Sequence, residues 1–158
     1  MNIQELIRTA SWLTTEEIML RPLVQLDSVP TLEEQRVHAE SEIGIFTDAA
    51  AIAIACGYVD PRSVFLSATA SEDDLRAAHG RCRYLAETQE ELRTLDALVG
   101  PYLPEGYLED IAIRVDPTGH GAFTPENIPM FARLIRRTNN LAVRALFLPF
   151  DLDGDLSR

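Results

Sequence analysis

Ser63–Leu98 reads SVFLSATASEDDLRAAHGRCRYLAETQEELRTLDAL, and its rhythm decides the fold. An apolar run, SVFLSA, gives way to Ser71, to three successive acids and then to residues of helical spacing that stop at Gly80. The cycle then repeats with RCRYLA, Thr88 and ELRTLDAL up to Gly100. Short apolar runs of this kind read as strands. Ser71 has the chemistry of an N-cap, with acids in the turn where the helix dipole favours them. Thr88 and Glu91 have the spacing of a reciprocal capping box. Two strand-then-helix units in succession, with no two-residue hairpin turn between the strands, predict parallel strands joined by crossover helices.

The same pattern extends in both directions. Upstream lie LVQLDSV and EIGIF, separated by a second capping box at Thr31 and Glu34. Downstream lie DIAIRV and LAVRALFL, separated by Thr124 before Pro125 and a further helical stretch. Pro129 deep inside that helix would cost about 3 kcal/mol, so the helix is expected to begin near Asn127 with Pro129 in its first turn. Gly57, Gly80 and Gly100 stand where three helices need a left-handed residue to close. The expectation is an α/β chain with a parallel sheet of six strands, organised as one domain over residues 1–158. Residues 1–20 form an N-terminal helical cap, 21–150 the β/α units, and 151–158 a tail.

Composition narrows the function classes. The formal net charge is −11 and the pI about 4.6, the wrong sign for nucleic acid or an anionic membrane, both of which need a basic footprint. No run approaches the roughly 18 to 20 apolar residues of a membrane span, and MNIQELIRTASW lacks the basic cap and apolar core of a signal peptide, so a cytoplasmic chain is expected. Cys56 and Cys82 sit in apolar surroundings and read as two buried thiols. All 14 basic residues are arginine. The sequence therefore offers no lysine for a Schiff base, a general base or a phosphate loop.

DIAIRVDPTGHGAFTPENIPMFARLIRRTNNLAVRALFLPF, residues 110–150, resembles the alanine racemase-like barrel family, whose fold is shared with eukaryotic-type ornithine decarboxylase. There a strand ending in a motif such as RVNP or KIDTG leads to a glycine-rich loop, a helix and a returning strand. Residues 60–98 resemble the family's preceding strand, short helix, strand and helix opened by an EEL turn. The resemblance covers a little over half the chain and implies a partial, TIM-like (β/α) barrel. Three departures accompany it. The family's cofactor lysine, carried at the end of an early strand, has no counterpart. Gly119, His120, Gly121 and Ala122 stand where the racemase loop carries methionine and arginine, and Pro149-Phe150 where the family often shows His-Phe. Covalent binding of pyridoxal phosphate is therefore not expected, no other cofactor is implied, and racemase or decarboxylase activity is disfavoured. The family barrel has eight strands, which leaves two expectations for this chain. Either it self-associates, as a homodimer that completes the barrel, or it is an amino-terminal piece of a larger enzyme whose C-terminal half is missing.

Ligands of parallel α/β folds gather at the carboxyl ends of the strands. That rule selects Thr47 and Asp48, Ser67 and Thr69, Glu87 and Thr88, the loop Asp116–Gly121, and Asp151 with Asp153. The competing reading for Thr47, Thr69 and Thr88 is helix capping alone. Within DPTGHG, Asp116 and His120 are the candidate acid/base pair of a cofactor-independent isomerase or hydrolase. Thr118, Gly119 and Gly121 are candidate contacts for a small anionic metabolite, because glycine lets backbone amides approach closely. Arg114 and Arg144 interrupt apolar strands, so each either pairs with a carboxylate or faces a ligand. His38 and His79 read as surface residues. No metal site is expected. LFLPFDLDGDL resembles the first motif of haloacid dehalogenase-type phosphatases, with Asp151 as nucleophile and Asp153 as acid/base, but the further elements of that chemistry do not follow. It also loosely resembles a calcium loop with its glycine two places early and no closing glutamate. A solvated tail is the simpler reading.

Overall fold

The computed structural model describes residues 23–41, 43–116, 118 and 121–148. The expected helical cap over residues 1–20 and the tail from residue 151, with Asp151 and Asp153, lie outside the described residues. Six strands alternate with five helices: Leu23–Gln25 (β1), Leu32–Glu40 (α1), Gly44–Thr47 (β2), Ala50–Ala55 (α2), Val64–Ser67 (β3), Glu72–Ala78 (α3), Arg83–Ala86 (β4), Gln89–Val99 (α4), Glu109–Arg114 (β5), Ile128–Ile135 (α5) and Leu141–Phe147 (β6). All six apolar runs are thus strands. Each pairs in parallel with its neighbours in chain order, β1 to β6. Sequential order combined with the right-handed sense of crossovers places every helix on the same side of the sheet, the winding of a barrel.

Alternation along the strands sorts the core into two layers. Ile45, Val64, Leu66, Tyr84, Ile111 and Ile113 face outward, where they pack with Leu75, Leu92 and Leu95 of the helices. Phe65, Leu85 and Ala112 face the other way, joined by Leu23, Phe46, Ala145 and Phe147. The second group is the barrel interior. Phe46 on β2 stacks on Phe147 of β6 with ring centroids 5.9 Å apart, although three strands separate them in the sheet. Side chains meet that way only if the sheet curls on itself, and strands four places apart are those facing each other across an eight-stranded barrel. Gly44 belongs to this tight interior, since a Cβ there would lie 2.6 Å from Leu23 Cδ2. A register shift between Ile111 and Ala112 makes Arg144 an extra residue in β6, a bulge that turns it away from the regular ladder.

The helix starts follow their capping signals. Thr31 with Glu34 and Thr88 with Glu91 form complete capping boxes, and the Ser71 side chain accepts from Asp74 N. Before α5, Thr124 N donates to Asn127 Oδ1, and Pro129 falls in the first turn of a helix beginning at Ile128. The stops differ. Gly80 is left-handed at φ +75°, but Gly57 is not, and Gly100 is right-handed at φ −47° and continues into a short turn of 3-10 helix. Gly100 is constrained by space, because a Cβ would meet Asn140 Nδ2 at 2.8 Å.

Two histidines expected on the surface are partly inside. His38 is the only buried residue of α1, with Nδ1 2.9 Å from the Tyr58 hydroxyl. His79 lies against the Tyr102 ring with its Nδ1 buried. Nearby, burial raises the Glu109 carboxyl above its usual range, with His79 and Arg83 opposing that shift and Asp110 adding to it. Cys56 and Cys82 are free and buried. Burial pushes the Cys82 thiol up to about 12 and the Cys56 thiol up as well, which disfavours the thiolate in both.

The fully buried Tyr84 donates its hydroxyl to Leu75 O at 2.7 Å, satisfying a carbonyl in the last turn of α3. Removing a buried hydrogen-bond partner leaves the other unsatisfied, so Tyr84→Phe is expected to lower unfolding stability by about 1 to 2 kcal/mol in urea titration with the slope unchanged.

Candidate functional site

Because all strands run the same way, their carboxyl ends share one rim. β1 ends in Gln25 followed by Leu26 and Asp27, with the Gln25 amide donating to the Asp27 carboxylate at 3.3 Å. At the end of β3, the Ser67 and Thr69 hydroxyls are 2.8 Å apart. Thr47 Oγ1 accepts from Ala49 N, and Thr88 is occupied in its capping box. Thr88 thus caps α4 as the capping reading has it, whereas Thr47 holds a turn ahead of α2, whose N-cap is Ala49 without a side-chain bond.

The centre of the mouth is built from three neighbouring strands. Arg114, at the end of β5, donates to Glu87 just past β4 at 3.0 Å. Its guanidinium carbon lies 5.8 Å from the centre of the Phe147 ring, which in turn stacks on Phe46. A charged pair thus rests on an aromatic floor. The Arg114 side chain is 40% exposed and that of Glu87 32% exposed, so water reaches the pair. Arg144 is elsewhere. It donates to Asp110 at 3.3 Å, Asp110 also pairs with Arg83 at 3.5 Å, and both partners sit at the starts of their strands. The two strand arginines therefore stand at opposite ends of the barrel, and both are paired.

The loop after β5 folds back on Asp116. Asp116 Oδ1 accepts from Thr118 N at 2.8 Å and from the Thr118 hydroxyl at 2.6 Å, while Asp116 N donates to Phe123 O at 2.7 Å. Gly121 must be glycine for this closure, as a Cβ would come within 2.7 Å of Asp116 Cβ. Gly119 and His120 lie outside the described residues, so the proposed Asp116/His120 pair has one described member. Two residues hold this loop: Phe123, which the sequence reading did not single out, and Asn127, which it placed only at the start of the next helix. Phe123 is fully buried beneath it, and Asn127 both accepts from Thr124 N and donates to Ala122 O. The signal available was a lone aromatic inside a glycine-rich loop.

A groove of about 540 Å³ lies at the opposite end, lined by Arg93, Asp96, Gly100, Arg137 and Asn140 among others. Its carboxylate is structural, since Asp96 accepts the backbone N–H groups of Asn139 and Asn140 and so fixes the turn into β6. Among the described residues, no group of three or more His, Cys, Asp or Glu could hold a metal ion, and no helix is long and apolar enough to cross a membrane.

For a pair this exposed, solvent screening leaves little net attraction. A double-mutant cycle of Glu87→Gln and Arg114→Gln is expected to give a coupling of about 1 kcal/mol or less in chemical denaturation, shrinking at high salt. A larger, salt-independent coupling would mean that the mouth is drier than its exposure indicates.

No family model and no curated protein sequence matches the chain. Among solved structures it is similar to alanine racemase of Clostridium difficile in complex with cycloserine, at TM-score 0.62 and 11% identity, over 95% of this chain and 42% of that one. It is also similar to diaminopimelate decarboxylase of Helicobacter pylori complexed with L-lysine, at TM-score 0.58 and 16% identity, over 91% of this chain and 42% of that one. The chain thus spans about two-fifths of the length of either protein. The resemblance read from residues 60–150 holds at the level of the fold: six parallel strands and their helices are arranged as in part of the barrel of these two proteins.

Proposed function

We propose that this chain is a barrel scaffold of the alanine racemase type that has no covalent pyridoxal phosphate chemistry and serves a binding or assembly role. The observation that carries the reading is the absence of any lysine among 158 residues, in a fold whose resembled family attaches its cofactor through one. The residues present do not fit that group. β1 ends in an amide and a carboxylate bonded to each other, and neither can condense with an aldehyde. A small anionic metabolite is the ligand class we favour, held by the N–H donors of Arg114 that Glu87 leaves free and by the backbone beside Gly121, with Thr118 turned to Asp116 to hold the loop's shape. The cofactor-independent acid/base alternative draws less support, because Asp116 Oδ1 is already occupied by Thr118. Among the described residues β1 pairs only with β2, and β6 only with β5. Both edges are open to pairing, and completion of the barrel by a second copy or by further units of a longer polypeptide is the assembly part of the proposal.

Incubation with pyridoxal 5′-phosphate should give no stable band near about 420 nm, and borohydride reduction should leave no adduct on any internal residue by peptide mass mapping. Titration with inorganic phosphate should shift the Arg114 and Thr118 amide resonances in the wild-type chain and not in Arg114→Gln. A stoichiometric, reducible chromophore on an internal residue would overturn the cofactor reading, and unchanged spectra with phosphate the ligand reading.

A further inference from the structure

Four of the five helices pack closely on a strand or on another helix, whereas α1 does not. His38 is the only one of its nine residues that is buried, while α4 buries Leu92, Leu95, Leu98 and Val99. The other side-chain hydrogen bonds of α1 are local. Thr31 and Glu34 cap its start, the Gln35 amide donates to Pro30 O at 3.0 Å, and the Ser41 hydroxyl donates to Val37 O at 2.7 Å. A helix this short is marginal in water on such terms, because nucleation is costly. Its docking therefore rests on one side chain. His38 Nδ1 lies 2.9 Å from the Tyr58 hydroxyl, and the two rings stack with centroids 6.2 Å apart. That hydroxyl also donates to Cys56 Sγ at 3.9 Å, so with its one proton used it accepts from His38 Nδ1–H. Cys56 belongs to the body of the fold, being the C-cap of α2 and buried in the outer core. The bonds thus run from α1 through Tyr58 into that core.

We propose that α1 is a strap between β1 and β2, latched by the hydrogen bond between His38 and Tyr58, and that it undocks as a unit while the sheet stays folded. Both ends of the strap are held without it. The ladder pairs Leu23, Val24 and Gln25 with Gly44, Ile45 and Phe46, and Leu26 N donates to Phe46 O at 2.8 Å. None of these bonds involves α1, so its release leaves β1 in place. Little apolar contact opposes that release, because Leu32 is 79% and Val37 56% exposed with the strap docked. Undocked, the strap leaves Tyr58 and the outer side of β1 uncovered beside the open edge of the sheet. The latch thus governs access to that side of the fold. This inference does not depend on the proposed ligand or on the cofactor reading.

Hydrogen exchange on the full chain tests it. The amides of α1 are expected to exchange at least about a hundredfold faster than those of α4, at a rate that low urea does not change, because undocking exposes little surface. Tyr58→Phe removes the latch and keeps the ring. It should speed exchange in α1 about fivefold and leave α4 unaltered. His38→Phe should do the same, and the double variant should be no faster than either single one, as expected for two groups that share one bond. Exchange of α1 and α4 at one rate with one urea dependence would overturn the proposal, since α1 would then open only with the whole fold. A Tyr58→Phe chain in which α1 is unaltered, or in which both helices speed up alike, would overturn it too, as would additive effects of the two substitutions.

Discussion

The contact between Phe46 and Phe147 is the constraint on which the rest of the structure depends. A parallel sheet wound in chain order can lie open or curl, and it curls only if the side chains of its concave face fill the space they enclose. Here Phe65, Leu85 and Ala112 form the middle of that face, and the two phenyl rings close it from opposite sides. Gly44 gives up its side chain to make room beside Leu23. The curvature in turn gathers the carboxyl ends of β3, β4, β5 and β6 around one mouth. It also places Arg114 and Glu87 over the aromatic floor rather than side by side on a flat surface.

What the mouth contains follows from a conflict between capping and chemistry. Every strand end in a β/α unit is also the approach to a helix start, so serine, threonine and acids are wanted there whether or not a ligand is. Thr47 and Thr88 are spent on backbone N–H groups, and Asp116 on the turn at Thr118. Among the described residues, the charged group with donors left at the mouth is the guanidinium of Arg114, and its charge is balanced by Glu87. That arrangement puts a charged donor at the mouth, which is what the proposed binding of a small anion would use. It offers no lysine amine, and the sequence has none elsewhere.

The sheet was legible in the sequence because parallel strands are apolar runs, and capping residues precede the helices after β1, β3 and β4. The starts of α1, α3 and α4 were legible from their caps and that of α5 from Pro129 in its first turn, whereas α2 starts behind Ala49 with no side-chain cap to announce it. What could not be read is long-range. Arg114 finds Glu87 across 27 residues and Arg144 finds Asp110 across 34, and no local pattern names either partner. Gly100 looked like a left-handed stop, but its need for glycine comes from Asn140, a neighbour brought in by tertiary packing. His38 sits on a helix that is otherwise exposed, so its burial against Tyr58 was invisible to any periodicity. Phe123 beneath the Asp116 loop was missed because a glycine-rich loop was read for its ligand-binding backbone rather than for the anchor that holds it down.

The curl itself can be measured without reference to function. In a chain with selectively labelled phenylalanine, nuclear Overhauser cross-peaks between the ring protons of Phe46 and Phe147 are predicted, as their centroids lie 5.9 Å apart. Each cross-peak should vanish in Phe46→Leu and in Phe147→Leu. A folded chain that shows intact parallel strand pairing but no contact between these rings would have an open sheet, and the barrel account would be wrong.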